Sequence, residues 1–434
     1  MSILTKRACE NISSDTPKPS CNMKFIADFH IHSRYSRATS RDMDVKHIAE
    51  WAKLKGITLM GTGDFTHHLW LEELKANFED LGNGLFKHQD VYFILSSEIS
   101  SIYSKKGRTY RIHNMVLSPS FKTTDKINAT LARYGNLASD GRPILGLDAA
   151  ELARIIFDVD ENCMVIPGHI WTPWFSLFGS MSGFDRIEDC FEKQTPRIFA
   201  LETGLSSDPA MNWRLSNLDR FALVSNSDSH SPAKIGREAN VFDCELSYAG
   251  IREVLRTKDK KKFLYTVEFF PEEGKYHFDG HRLCDVRLSP SETKERKGVC
   301  PKCGKPVTVG VMSRVEYLAD RPEGFVPAQA IPYKNLIPLD EIMAEARGVN
   351  KGSVAVERDY RAAISRFGNE FNILLRASGD ELLEGLPRNL VGGILRMRQG
   401  KVQVQPGFDG EYGRISVFSG VETKDKEEEQ LRLF

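Results

Sequence analysis

At 434 residues the chain is long enough for two or three domains and a well-buried core. Lysine plus arginine equals aspartate plus glutamate at 59 each, so net charge points to no partner, and nucleic-acid contact would have to come from local patches. No apolar run approaches the length of a membrane span, and eight irregularly spaced cysteines do not form a disulfide framework; the chain is expected to be cytoplasmic.

Residues 1–22 are polar, with Pro17 and Pro19, and lack the apolar centre of a signal peptide, so a flexible extension is expected. From 23 to 272 short apolar runs alternate with amphipathic segments, helices being expected over 45–55, 148–157 and 249–256. The runs are followed in turn by Asp28-Phe29-His30-Ile31-His32, Asp64, Glu98, His113, His169, Glu202 and Asp228-Ser229-His230. Buried strands of a parallel barrel read as continuous apolar runs, and barrel enzymes keep their chemistry at the carboxyl ends of those strands. Polar residues at so many strand ends favour an α/β barrel over a doubly wound sheet.

Residues 273–312 are too poor in apolar side chains to fold by core burial, which suggests a metal staple. His281-x-x-Cys284 and Cys300-x-x-Cys303 offer four ligands for a structural zinc, with His277 as the rival to His281. Residues 313–420 form a third, α+β unit, helical over 360–375 and 390–398 and strand-like at 402–404 and 415–418. Residues 421–434 form a charged tail ending in Gln430-Leu431-Arg432-Leu433-Phe434. Cys163, Cys190 and Cys244 lie in apolar or mixed surroundings and are expected to be buried.

His30 and His32, two apart on a strand, project from one face and can grip one ion; Asp228 and His230 repeat that spacing. Glu98 can bridge two ions, while His113 and His169 supply imidazole donors. The expected metal ligands are therefore His30, His32, Asp64, Glu98, His113, His169, Asp228 and His230, with Asp228, Glu98 and His30 central to catalysis. Mixed imidazole and carboxylate donors suit Zn, Mn or Fe better than Mg alone. Glu202 stays outside the ligand set, either orienting a histidine or bonding a loop.

This series resembles the polymerase-and-histidinol-phosphatase (PHP) family of metal-dependent phosphoesterases, through Asp28-Phe29-His30-Ile31-His32, Gly63-Asp64, Glu98, His113, His169 and Asp228-Ser229-His230. The resemblance implies a distorted (β/α)7 barrel carrying two or three metals. The family's Asp-His second motif is here Asp64-Phe65, with His67 and His68 just beyond, so a third metal would rest on Asp64 or His67, with Asp64 favoured.

The zinc module and third unit suggest a polymeric substrate. Arg34 and Arg37 could clamp phosphates, Trp171, Trp174 and Phe175 could stack on a base, and Arg388, Arg396, Arg398 and Lys401 form a basic run. The order of barrel, Gly280-His281-Arg282-Leu283-Cys284, Cys300-Pro301-Lys302-Cys303-Gly304 and late Pro406-Gly407-Phe408-Asp409-Gly410 is similar to the endonuclease Q family over about residues 23–420. That resemblance implies nicking of DNA 5′ to deaminated bases (uracil, hypoxanthine, xanthine) and abasic sites, with Mg²⁺ or Mn²⁺ for activity beside Zn²⁺. The Gln430, Leu431, Leu433 and Phe434 tail resembles the bacterial sliding-clamp-binding peptide. The rival functions are a small-molecule phosphatase like histidinol phosphatase and a non-catalytic, clamp-associated DNA-binding protein.

Overall fold

The computed structural model describes residues 22–418. Three parallel strands begin the main sheet: Met23–Asp28, Leu59–Gly61 and Val91–Lys105, in that spatial order. Helix Val45–Lys55 makes the first crossover. The Asp44 carboxylate accepts the His47 N–H at its start, and Gly56, with φ 90°, ends it in the left-handed conformation that a residue without Cβ adopts freely.

The sheet is mixed, where the apolar runs read as strands of a distorted parallel barrel. Val91–Lys105 turns directly into the antiparallel strand Arg108–Ser118, which pairs antiparallel with Met164–Pro167. The reason is local: only Lys106 and Gly107 separate the two long strands, with φ 51° and 78°, and two such residues build a tight hairpin rather than a helical crossover. On the other side Ala239–Cys244 runs antiparallel to Met23–Asp28, and Phe263–Glu268 antiparallel to it in turn. Ala200–Glu202 and Ala222–Val224 pair in parallel with each other, and a bridge from Ile31 to Ser229 brings the chain beyond them back beside the first strand.

Helices Ala149–Val159 and Tyr248–Thr257 occupy the expected stretches, capped by Asp148 and Ser247. The stretch 360–375 is not one helix. Val354–Phe367 ends at Gly368, with φ 88°, and a π-helical turn, Asn372–Arg376, follows. Arg388–Arg398 is helical, and Gln403–Gln405 pairs antiparallel with Arg414–Ser416.

These later helices share one apolar core with the main sheet. A buried polar joint ties them together: Lys55 Nζ lies 2.6 Å from Glu370 Oε2, which also accepts the Tyr360 hydroxyl at 2.6 Å. Between them, Asp279–His281 and Val286–Leu288 form a small hairpin over a minor cluster of Val286, Leu288, Cys300 and Val307. Among the described residues no helix is long and apolar enough to cross a membrane.

Candidate metal centre

The long hairpin sets the heart of the site. Glu98 and Ser100 are two apart and face the same way, and His113 stands directly opposite Ser100, so His113 shares the Glu98 face. Glu98 and His113 thus lie within long strands and not at strand ends. Around them Asp64, His169 and Asp228 have positive φ values of 49°, 29° and 46°. Such backbone strain in non-glycine residues persists only where surrounding structure enforces it, and it clusters at functional sites. Gly204, with φ 62°, packs against His169 so closely that a Cβ would fall 2.5 Å from the His169 Cβ.

Glu98 faces two sets of donors with its two oxygens. Oε1 lies 2.5 Å from His113 Nδ1 and 3.1 Å from His169 Nε2. Oε2 lies 3.3 Å from His32 Nε2 and 3.7 Å from His30 Nε2. Asp228 Oδ1 adds a third side, 3.0 Å from His32 Nε2 and 3.8 Å from His30 Nε2. Three groups of donor atoms, each within 4.8 Å, result: His30, His32 and Glu98; His32, Asp228 and His230; Glu98, His113 and His169.

The far nitrogens of these rings are held from behind. Both Glu202 oxygens lie 3.0 Å from His30 Nδ1, and Glu202 also accepts the His169 backbone N–H at 2.8 Å. Asp64 Oδ1 lies 3.0 Å from His32 Nδ1, and Thr172 Oγ1 lies 3.1 Å from His169 Nδ1. With Nδ1 engaged, Nε2 of His30 and of His32 points inward. Those two atoms and Asp228 Oδ1 are buried without a hydrogen-bond partner, the 3.0 Å approach of His32 to Asp228 being too poorly directed to make one. An unsatisfied buried polar atom costs roughly 1–3 kcal/mol. Three converging on one hollow fit a cation.

Burial pushes His113 down to about 4, which keeps its ring neutral and able to donate to a metal. Burial opposes ionisation of Glu98, yet the His113, His30 and His169 rings packed around it outweigh that cost and hold the carboxyl well below its usual range. For His30, burial favours the neutral ring but Glu202 and Glu98 overcome it; for His32 the countering charge is Asp64. Protons and metal ions therefore compete for the same nitrogens.

Asp64 takes a place other than the expected ligand position. Besides His32 its oxygens accept the Ser33 N–H at 2.6 Å, the Ser33 hydroxyl at 2.7 Å and the Ser36 hydroxyl at 2.9 Å, which leaves it behind His32 and outside the three donor groups. His67 is buried against Tyr35. Arg34 pairs with Glu73, and Arg37, 77% exposed, with Asp140. The cation that does reach the centre is Arg142, whose Nη1 donates to Glu98 Oε2 at 3.3 Å. Sequence reasoning passed over it, because a lone arginine in Asp140-Gly141-Arg142-Pro143 carries no periodic signal.

Trp171 is a core residue whose indole N–H donates to Asn212 at 2.7 Å. Phe175 packs on His113, while Trp174 meets Tyr276 edge-on at the rim of a hollow of about 560 Å³. Phe269, His277 and Arg237 also line that hollow. It adjoins the metal centre through Thr172 and through Arg237, which donates to the carbonyls of Ser227 at 2.8 Å and Asp228 at 3.3 Å.

The hairpin unit brings His281, Cys284, Cys300 and Cys303 within 4.8 Å of one another, with His277 lying instead on the hollow. Four such donors from two tight turns match the ligand number and types of a structural zinc site. Cys163, Cys190 and Cys244 are buried. Of the expected basic run, Arg398 is consumed internally, donating to the carbonyls of Ile373, Leu374 and Ala377. Gln430, Leu431, Leu433 and Phe434 lie outside the described residues.

Residues 338–401 match the family described as the MJ0043 C-terminal domain. The protein MJ0043 of Methanocaldococcus jannaschii is 35% identical over 269 residues, 59% of this chain, and the chain spans only 33% of that relative's length. YqxK of Bacillus subtilis is 28% identical over 411 residues, 90% of this chain and 99% of that protein. Among solved structures, the lesion-specific endonuclease PfuEndoQ of Pyrococcus furiosus superposes with a TM-score of 0.82 and 30% identity, over 93% of this chain and 99% of that one. A structure of endonuclease Q with a 27-mer duplex bearing an abasic lesion at its active site gives a TM-score of 0.81 and 30% identity, over 92% and 98%.

Proposed function

The chain belongs to the endonuclease Q family, and from that premise we propose that it hydrolyses a DNA phosphodiester on the 5′ side of a deaminated base or an abasic site. The observation that carries this reading is Glu98, whose two oxygens face two separate donor groups, the arrangement a carboxylate needs to bridge two ions. His30, His32, Glu98, His113, His169, Asp228 and His230 would hold them, with Asp64 and Glu202 orienting rings. Bound divalent ions supply the Lewis acidity that activates water and steadies the departing oxygen. The expected resident ion is Zn²⁺, which mixed imidazole and carboxylate donors suit, with Mg²⁺ or Mn²⁺ supporting activity. A second zinc in the His281, Cys284, Cys300 and Cys303 set would staple residues 273–312.

The chain's own groups position the reaction. Glu202 and Asp64 engage Nδ1 of His30 and His32, which leaves each Nε2 aimed inward as the nitrogen an ion would take in place of a proton. Arg237 pins the loop that carries Asp228. The neighbouring hollow, walled by Trp174, Tyr276 and Phe269, suits an extruded base, since aromatic faces stack on any base and extrusion is cheapest where pairing is already weak. We read the sheet as a distorted PHP barrel; the return of Ser229 to Ile31 supports that reading. The tail at 430–434 is proposed as a sliding-clamp ligand on its sequence alone, and its deletion is expected to abolish capture by the clamp.

The test is incubation with Mg²⁺ or Mn²⁺ and labelled duplexes carrying uracil, hypoxanthine, an abasic site or no lesion. Lesion-dependent nicking that leaves 3′-hydroxyl and 5′-phosphate ends, and that disappears in Asp228→Ala, is expected. Hydrolysis of phosphomonoesters without nicking would point to a small-molecule phosphatase, and DNA binding without turnover to a scaffold.

A further inference from the structure

We propose that Arg142 is the phosphate-binding cation of this centre, donating its free guanidinium N–H groups to a non-bridging oxygen of the scissile phosphate. The proposal rests on the phosphodiesterase reading above and adds a catalytic residue to it.

The segment carrying Arg142 is locked on every side. Gly141 donates its N–H to Tyr35 O at 3.1 Å, and Gly141 O accepts the Thr66 hydroxyl at 3.2 Å. The Asp140 carboxylate accepts the backbone N–H of Arg142 at 3.1 Å and of Arg37 at 3.3 Å. Pro143 O accepts the Ser100 N–H at 3.0 Å, which ties the segment to the strand that bears Glu98. Gly141 allows this close approach, since a Cβ there would fall 2.3 Å from Asp64 Oδ2 and 2.4 Å from Ser36 Oγ. A loop held this firmly presents its arginine in one place.

That place is the rim of the ion-binding hollow. Nη1 reaches Glu98 Oε2, the oxygen that faces Nε2 of both His30 and His32. Glu98 is the guanidinium's one hydrogen-bond partner among the described residues, and the side chain is 25% exposed, so the guanidinium is within reach of solvent with donors to spare. The neighbouring cations are committed elsewhere: Arg34 to Glu73, Arg37 to Asp140, Arg237 to two carbonyls and Lys234 to Glu341. A guanidinium offers five N–H groups in a planar fork that matches phosphate oxygens. A cation beside metal ions is repelled unless anions offset it. Glu98 and Asp228 do so in the resting site, and the incoming phosphate adds the charge that the remaining donors fit.

The experiment compares the metal-loaded parent with Arg142→Ala and Arg142→Lys. Nicking of lesion duplex is followed at saturating DNA, metal content by elemental analysis, and affinity for inorganic phosphate by calorimetry. For Arg142→Ala we expect the cleavage rate to fall roughly 100-fold, the magnitude typical of losing one preorganised donor to developing charge. Phosphate affinity should drop about tenfold or more on the same loss of charge-assisted hydrogen bonds, with metal content unchanged. Added guanidinium should restore part of the lost rate, and Arg142→Lys should keep an intermediate one. Unchanged phosphate affinity in Arg142→Ala, or metal loss in step with activity, overturns the proposal. The phosphate titration decides it even if DNA is not the substrate, whereas failure of the parent to nick any duplex counts against the DNA reading alone.

Discussion

Glu202 and His30, 172 residues apart in sequence, meet so that both carboxylate oxygens of Glu202 lie 3.0 Å from His30 Nδ1. The same carboxylate accepts the backbone N–H of His169 and the Asn226 amide at 2.9 Å. One buried acid therefore orients one proposed ligand and anchors the backbone of another. Glu202→Gln should weaken metal affinity by about 10- to 100-fold, the usual effect of losing such a partner. Competition with a chromophoric chelator measures it, and an unchanged affinity would remove the orienting role.

Asp64 offers a sharper contrast, because an orienting residue and a ligand respond differently to substitution. Asp64→Asn should keep the parental number of bound metals per chain while binding them more weakly, since His32 Nδ1 loses its carboxylate. Asp228→Asn should lose a metal outright. Elemental analysis after dialysis distinguishes them, and a missing equivalent in Asp64→Asn would show that Asp64 binds metal directly.

The Lys55, Glu370 and Tyr360 joint holds the later helices to the first crossover helix. Glu370→Ala would leave a buried ammonium, the Tyr360 hydroxyl and the Leu339 N–H without their acceptor. Breaking a buried pair from one side costs about 3–5 kcal/mol. A clear fall in the denaturation midpoint is expected, and a loss below about 1 kcal/mol, the range of an exposed pair, would contradict this role.

Stability should also depend on pH through Glu273, which lines the hollow beside the metal centre. Burial, reinforced by Glu341, raises its carboxyl from 4.5 to about 8. Between those values the folded protein holds a proton that the unfolded chain has released, so stability falls as pH rises from about 4.5 to about 8 and then levels off. Glu273→Gln removes the ionisation. Its melting temperature should therefore gain on the parent's as pH rises from 5 to 8.5, and a gap that stays constant across that range would refute the assignment.

Local spacing made part of the site legible in advance. His30 and His32 were placed together by a separation of two, and His281, Cys284, Cys300 and Cys303 by two short turns; the structure gathers each set. The helix over 45–55 announced itself through Asp44, its apolar face and Gly56. The two-residue hairpin at Lys106-Gly107 was written in the sequence too, but the serine-rich stretch 96–105 before it carries no continuous apolar run to mark a strand.

The residue types and short-range order of this chain determined which donors exist, which neighbours share a face, and that a multi-metal hydrolytic centre was the chemistry to expect. Tertiary structure alone decided that Asp64 stands behind His32, that Glu202 grips His30 and that Arg142 enters the hollow while Arg34 and Arg37 do not. The physical reason is that periodicity constrains side chains only within one element. Contacts between residues 32 to 172 positions apart depend on how elements pack, and a loop residue such as Arg142 reaches Glu98 only when the strands around it are in place.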